Sequence, residues 1–348
     1  MKDFKYLAAF SIPITAFVSI YYRDVWSFST PIFAFILLPI LELMLPIDNK
    51  NIDATETKNK LKNKLFDWLL YLNLPLTYGI LWFALFTIAS HTLQHYETVG
   101  LILSTGIVLG VNGINVGHEL GHRQQAPERF LGKLLLLPSL YMHFYIEHNF
   151  GHHLHAATVE DPATARYNQS VYSFWITSVT RQYVKAWKIQ LNLLKMNKKA
   201  IISFYNDMLW YMVFQIIYMV SIYLVFGSQG LIFALLSAVV GFLLLETVNY
   251  IEHYGLLRKK TDSGRYERVK EIHSWNSNHV VGRIVLYELT RHSDHHYKSS
   301  KKYQILDCHE DSPQMPFGYP TSMVLSLIPP LWFKIMNKRI PQEMISLV

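Results

Sequence analysis

The chain has 348 residues, 51% of them apolar and 14% aromatic, with a formal net charge of +7. This length supports one or two domains, and a positive mean hydropathy is unusual for a soluble enzyme. One cysteine, Cys308, excludes an internal disulfide and any cysteine-based zinc or iron–sulfur site.

In chain order, residues 6–22 and 30–47 are each about long enough to span a bilayer. Lys2 and Lys5 precede the first run as they would in a secretory signal. No small-residue cleavage site follows, and further spans come after, so the run reads as a retained helix. Runs 67–90, 98–117, 203–227 and 229–250 bring the expectation to six spans. Two more apolar stretches, 130–146 and 320–336, are shorter or broken by proline and read as interfacial or re-entrant helices. The expected fold is an all-α integral membrane protein, a single domain over 1–348. It has six transmembrane helices under a cytoplasmic, histidine-rich helical cap formed by 118–202 and 251–348.

Basic residues orient this map. With the N-terminus inside, the outer loops 23–29 and 91–97 and the link near 228 hold only Arg23, and the inner segments hold the other 31 of the 32 Lys and Arg. That bias accounts for the net charge without nucleic acid, for which no motif is visible.

Sixteen histidines fall on this map, and all but His91 and His95 lie at the inner face. Residues four apart share a helix face, so His118 and His122 of HELGH can grip one metal, as can His148 and His152 of EHNFGHH. In LTRHSDHH, His292, His295 and His296 present a three-imidazole face. Adjacent pairs, His152–His153 and His295–His296, diverge by about 100° on a helix and suit two ions side by side. NYIEHYGL adds His253 at an inner helix end. These nine imidazoles are too many for one four-coordinate zinc and suit two ions with four or five each. Alone, HELGH fits the zinc-protease pattern, but that leaves seven motif histidines unexplained. His155, His273 and His279 have no forced role; His143 and His309 read as structural.

HELGH, EHNFGHH, NYIEHYGL and LTRHSDHH, in this order and between these spans, resemble the membrane-bound alkane 1-monooxygenases of the histidine-rich membrane di-iron superfamily. That superfamily includes fatty-acid desaturases and xylene monooxygenase. The resemblance covers about residues 5–336, and NYIEHYGL is its most specific part. It implies that the nine histidines hold two iron ions and that dioxygen is a co-substrate. The terminal methyl of an n-alkane then becomes a primary alcohol, the second oxygen atom leaving as water. It also implies a bacterial inner-membrane enzyme with its site facing the cytoplasm. Electrons would come from a separate rubredoxin fed by an NAD(P)H-dependent reductase, since a rubredoxin needs four cysteines. A related desaturase or alkyl-aromatic hydroxylase would differ in product. A metal transporter would need polar residues along its spans, and here most lie at one face.

Metal-bound histidines usually donate their other N–H to a carboxylate or carbonyl. Glu119, Glu147, Asp161, Glu252 and Asp294 stand beside the boxes as candidate orienters. A hydrocarbon offers no polar handle, so selectivity must come from a narrow apolar tunnel. Ala34 and Leu38 share one face of the second span and are expected on its wall. Asn112, Asn115, Glu246 and Asn249, costly in lipid, should face the site or each other.

Overall fold

The computed structural model describes residues 2–345. Among these, regular structure is helical and extended pairing is limited to isolated bridges such as Ile47 with His279. Among the described residues, five helices are long and apolar enough to cross a membrane: α1 (Asp3–Tyr22), α2 (Asp24–Met44), α3 (Leu65–Ser90), α4 (His95–Gly121) and a 47-residue run, Asp207–His253. Their outward faces carry exposed Phe17, Ile36, Trp82, Phe86, Ile217 and Leu224, as a lipid-facing surface would.

The last run replaces two expected spans, 203–227 and 229–250, and starts at Asp207, where the Asn206 side chain accepts from the Leu209 N–H. Drawn straight it would be about 70 Å long, more than twice a hydrocarbon core. It is not straight. Gly227 breaks it at φ 67° and ψ −167°, a conformation that favours glycine. Phe226, beside the break, packs on Trp82 of α3, while Asp207 pairs with Lys133 at 2.7 Å and His253 ends among the clustered histidines. The run therefore doubles back.

The N-terminal ends of α2 and α4 are joined by polar groups. The Gln94 N–H donates to Glu97 in a capping box, and the second Glu97 oxygen accepts from the Asp24 N–H at 2.7 Å. At the C-terminal end of α4, α5 (Ala126–Leu136) presses onto it through Gly117 and Gly132. A Cβ on Gly132 would stand 2.8 Å from the Gly117 carbonyl oxygen, so only glycine permits this approach. Beyond α5, the long amphipathic α6 (Val171–Met196) packs along the Asp207–His253 run, here α7. The short helices that follow include α8 (His292–Tyr297), α9 (Tyr319–Ser326) and α10 (Pro329–Met336). The expected interfacial stretches 130–146 and 320–336 are short helices and turns of this kind.

Two apolar clusters matter for the site. One fills the bundle around Ile12, Ala34, Leu81, Ile107 and Phe233; the other lies under α9 and α10 around Tyr250, Trp275 and Trp332. The loop leading into α8 is fastened by buried Glu288, which accepts from the Tyr6 hydroxyl and from Arg283 Nε, both at 2.6 Å.

Candidate metal centre

All nine motif histidines converge, in two groups. His118, His122, His148, His153 and His295 form the first, and His152, His253, His292 and His296 the second; within each, the ligand-capable atoms lie within 4.8 Å of one another. Helix ends deliver them. His118 stands on the last turn of α4 with His122 just beyond it, His253 ends α7, and α8 carries three. As the sequence implies, α8 splits its histidines between the groups, and His152 and His153 part company.

One pairing differs from expectation. His148 joins His153, five residues on, with Nε2 atoms 3.0 Å apart, and not His152. The backbone over His148–His152 is a π-helical turn, whose i→i+5 step aligns residues five apart instead of four. A second π-helical turn, Leu109–Ile114, lies in α4 below His118.

The nitrogens themselves indicate what the groups can hold. In the first group, Nε2–Nε2 separations are 3.1 Å for His118–His295, 3.2 Å for His118–His122, 3.1 Å for His122–His148 and 3.2 Å for His122–His153. In the second they are 3.2 Å for His152–His296 and for His253–His292. A neutral imidazole has one N–H and one lone pair, so five rings meeting at their Nε2 atoms oppose lone pairs that hydrogen bonds alone cannot satisfy. A cation at the centre removes the conflict, and ligand bonds of about 2.0–2.1 Å bring neighbouring nitrogens to about this separation. The rings are held neutral. Burial first, and neighbouring rings second, push His122, His148, His153, His292 and His296 well below their ordinary pKa, and His295 to about 4. Neutral imidazole is the ligating form.

The five candidate carboxylates separate. Asp161 Oδ2 lies 2.8 Å from His152 Nδ1, and also accepts from the Thr164 hydroxyl. Burial works against its charge, yet His152, Lys185 and Thr164 hold its carboxyl below the usual carboxylate range. Glu252 reaches the other way: its Oε2 is 3.2 Å from His292 Nε2, inside the second group, and its Oε1 accepts from the Tyr319 hydroxyl at 2.8 Å. Glu147 pairs with Lys185 at 3.1 Å and is pushed up to about 7, mainly by burial, because Lys185 is shared with the ionised Asp161. Glu119 is bound by Arg123 and the Tyr303 N–H, and Asp294 by Lys301, His309 and the Asp307 N–H. These three tie neighbouring segments together instead of contacting a cluster histidine. Tyr319, Thr164 and Lys185 complete the surroundings, and no motif or spacing in the sequence marks them.

The other histidines stand apart. His155 Nδ1 faces the Gly151 carbonyl, the His279 ring meets Ser277, His273 accepts from the Lys270 N–H, and His143 packs between Tyr141 and Tyr183. His91 and His95 lie at the opposite end of the bundle, after α3 and at the start of α4.

An almost wholly apolar cavity runs from the bundle core up to both groups. Ile12, Ala34, Leu38 and Ile107 line its depth; His118, His148, His292, Glu252, Asn115 and Asn249 line its head. Asn112, expected on this wall, stands off it and donates to Asn73 Oδ1 at 2.8 Å and to the Ala9 carbonyl. Interhelical bonding takes up both of its amide N–H donors, as it commonly does for polar groups at membrane depth. Glu246 likewise stands back, accepting from Tyr141, Ser178 and Gln182.

Comparison with known proteins agrees with this arrangement. The fatty acid desaturase family model matches residues 97–321. Alkane 1-monooxygenase 2 of Alcanivorax borkumensis is 37% identical over 98% of this chain and 91% of its own length. This chain belongs to the alkane 1-monooxygenase family. Alkane 1-monooxygenase 1 of Pseudomonas aeruginosa is 39% identical over 90% of this chain and 83% of its own. A more distant relative is the xylene/toluene monooxygenase hydroxylase component of Pseudomonas putida, 27% identical over 97% of this chain. All nine histidines, and with them all four histidine boxes, fall within the family match.

Proposed function

We propose that this protein hydroxylates the terminal methyl of n-alkanes to primary alcohols, with two iron ions held by the nine histidines. The reading further includes six spans, with α7 counted as two, and the histidine face toward the cytoplasm of a bacterial inner membrane. Electrons come from a separate rubredoxin and its NAD(P)H-dependent reductase. The observation that carries it is the apolar cavity whose head is formed by His118, His148 and His292, one wall from each histidine box it meets.

When bound, an iron pair supplies dioxygen activation and the oxidising power that an unactivated C–H bond demands. Imidazole also suits zinc, copper and nickel, so family membership, not the donor set, favours iron. The chain's own residues do the rest. Ile12, Ala34 and Leu38 give the alkane an apolar channel, each buried methylene contributing about 0.8 kcal/mol. The channel presents a chain end to the histidine head and keeps water away from it. Asp161 fixes the ring of His152 through Nδ1, so that Nε2 faces inward. Tyr319 holds Glu252 at the cavity head, where Asn115 and Asn249 are the other polar groups that a nascent alcohol meets.

Product analysis of cells expressing this chain with a rubredoxin system, fed a series of n-alkanes, tests the reading. Primary alcohols of matching length are expected, with about two irons per purified chain. One zinc and no iron after growth in iron-replete medium would end the di-iron reading.

A further inference from the structure

A second apolar groove lies outside the cavity. It is walled by Val240 and Leu243 of α7, Leu327 after α9, and the three residues Phe35, Leu244 and Met323. Those three also line the cavity that ends at the histidines. The groove and the cavity thus share one side-chain partition. Exposed Ile36 and Val239 beside it belong to the outward apolar surface of α2 and α7, so the groove opens at span depth.

The partition also falls on a seam. Phe35 and Leu244 are the residues that pack against both of the separate apolar clusters, in the bundle and under α9. Parting them separates two cores without emptying either. Phe35 sits in a π-helical turn of α2, Phe33–Leu37, an irregularity that often accompanies functional sites. Met323 is unbranched and adapts its shape readily.

Resting on the functional reading above, we propose that Phe35, Leu244 and Met323 form a gate through which an n-alkane dissolved in the bilayer passes sideways from this groove into the cavity. A saturated chain partitions into lipid, and this route keeps it out of water from membrane to site. Val240 and Leu327 hold the waiting chain outside, and the gate admits it end-first along the α2–α7 seam.

The test plugs the groove without touching the cavity. In the metal-loaded protein in lipid nanodiscs, Val240→Cys is modified with benzyl methanethiosulfonate; the parent chain, with Cys308 alone, is treated alongside. A photoactivatable n-alkyl diazirine in the bilayer then reports which residues it reaches, by mass spectrometry. We expect labelling at Ala34 and Ile107 to fall at least ten-fold on modification and to return when a reductant removes the plug. kcat/KM for n-decane should fall and recover in parallel while iron content stays constant. Cavity labelling within two-fold of the unplugged protein overturns the gate, as does the same result with Val240→Trp should the thiol resist modification. Labelling reads the path whether or not alcohol forms, so a labelled cavity that yields no alcohol counts against the functional reading and not against the gate.

Discussion

The five-imidazole and four-imidazole groups share their helices, yet solvent and carboxylates are divided unequally between them. In the first group His122 and His153 are only partly buried, and no acidic side chain touches its rings among the contacts described above. In the second all four rings are buried, Asp161 grips one from behind, and Glu252 reaches in from the side. A buried metal position with fewer imidazoles gains charge balance from carboxylates, whereas one with five neutral rings near the surface can draw on solvent. Side-chain count alone hides this asymmetry.

The strongest way to break the comparison is to remove one ring from each group. His295→Ala and His152→Ala should each abolish hydroxylation and lower bound iron, with His95→Ala changing neither. Iron analysis and product assay on the three proteins check this, and loss of activity in His95→Ala would overturn the single-face arrangement. Asp161→Ala should come next in size. Losing the carboxylate behind a ligating histidine typically weakens metal binding 10–100-fold, so iron retention against a chelator should drop by about that factor. Glu119→Ala, whose carboxylate serves Arg123 and Tyr303, should retain iron like the parent while lowering the thermal midpoint.

Ala34→Trp probes the cavity that both groups overlook. A large side chain on that wall should shift the product mixture toward shorter alkanes with iron content unchanged. Each excluded methylene forfeits about 0.8 kcal/mol of burial, and an unchanged product ratio from a mixture of short and long alkanes would remove Ala34 from the chain-length stop.

The smallest effect concerns acid. His143 lies outside both groups, and burial pushes its imidazole down to about 3. The unfolded chain therefore binds a proton there below about pH 6.5 while the folded chain does not. This contribution to stability is whole above pH 6.5 and is lost as pH falls toward 3, at up to about 1.4 kcal/mol per pH unit. His143→Gln should flatten the acid limb of the thermal midpoint measured between pH 7 and 4.5. An identical slope in both proteins would show that His143 is already protonated when folded.

Spacing, composition and charge by themselves determined the apolar runs, the clustering of imidazoles at one end of them and the parting of adjacent histidines into two groups, because helical periodicity and hydropathy are local properties of the chain. Runs 6–22, 67–90 and 98–117 lie within long helices for that reason, and run 30–47 overshoots its helix, which ends at Met44 before Pro46. The tertiary structure decided what depends on backbone irregularity and on contacts far apart in sequence. A π-helical turn moved His148 from His152 to His153, a shift that residue identities do not encode visibly. Among the five acidic candidates, proximity to a box could not separate Asp161 and Glu252 from Glu119, Glu147 and Asp294, since each carboxylate goes to whichever cation or N–H the fold brings nearest. Asn112 and Asn115 are three residues apart on one helix, yet Asn73 on α3 captures the first while the second faces the cavity, because the neighbouring helix, not the sequence around them, supplies the partner.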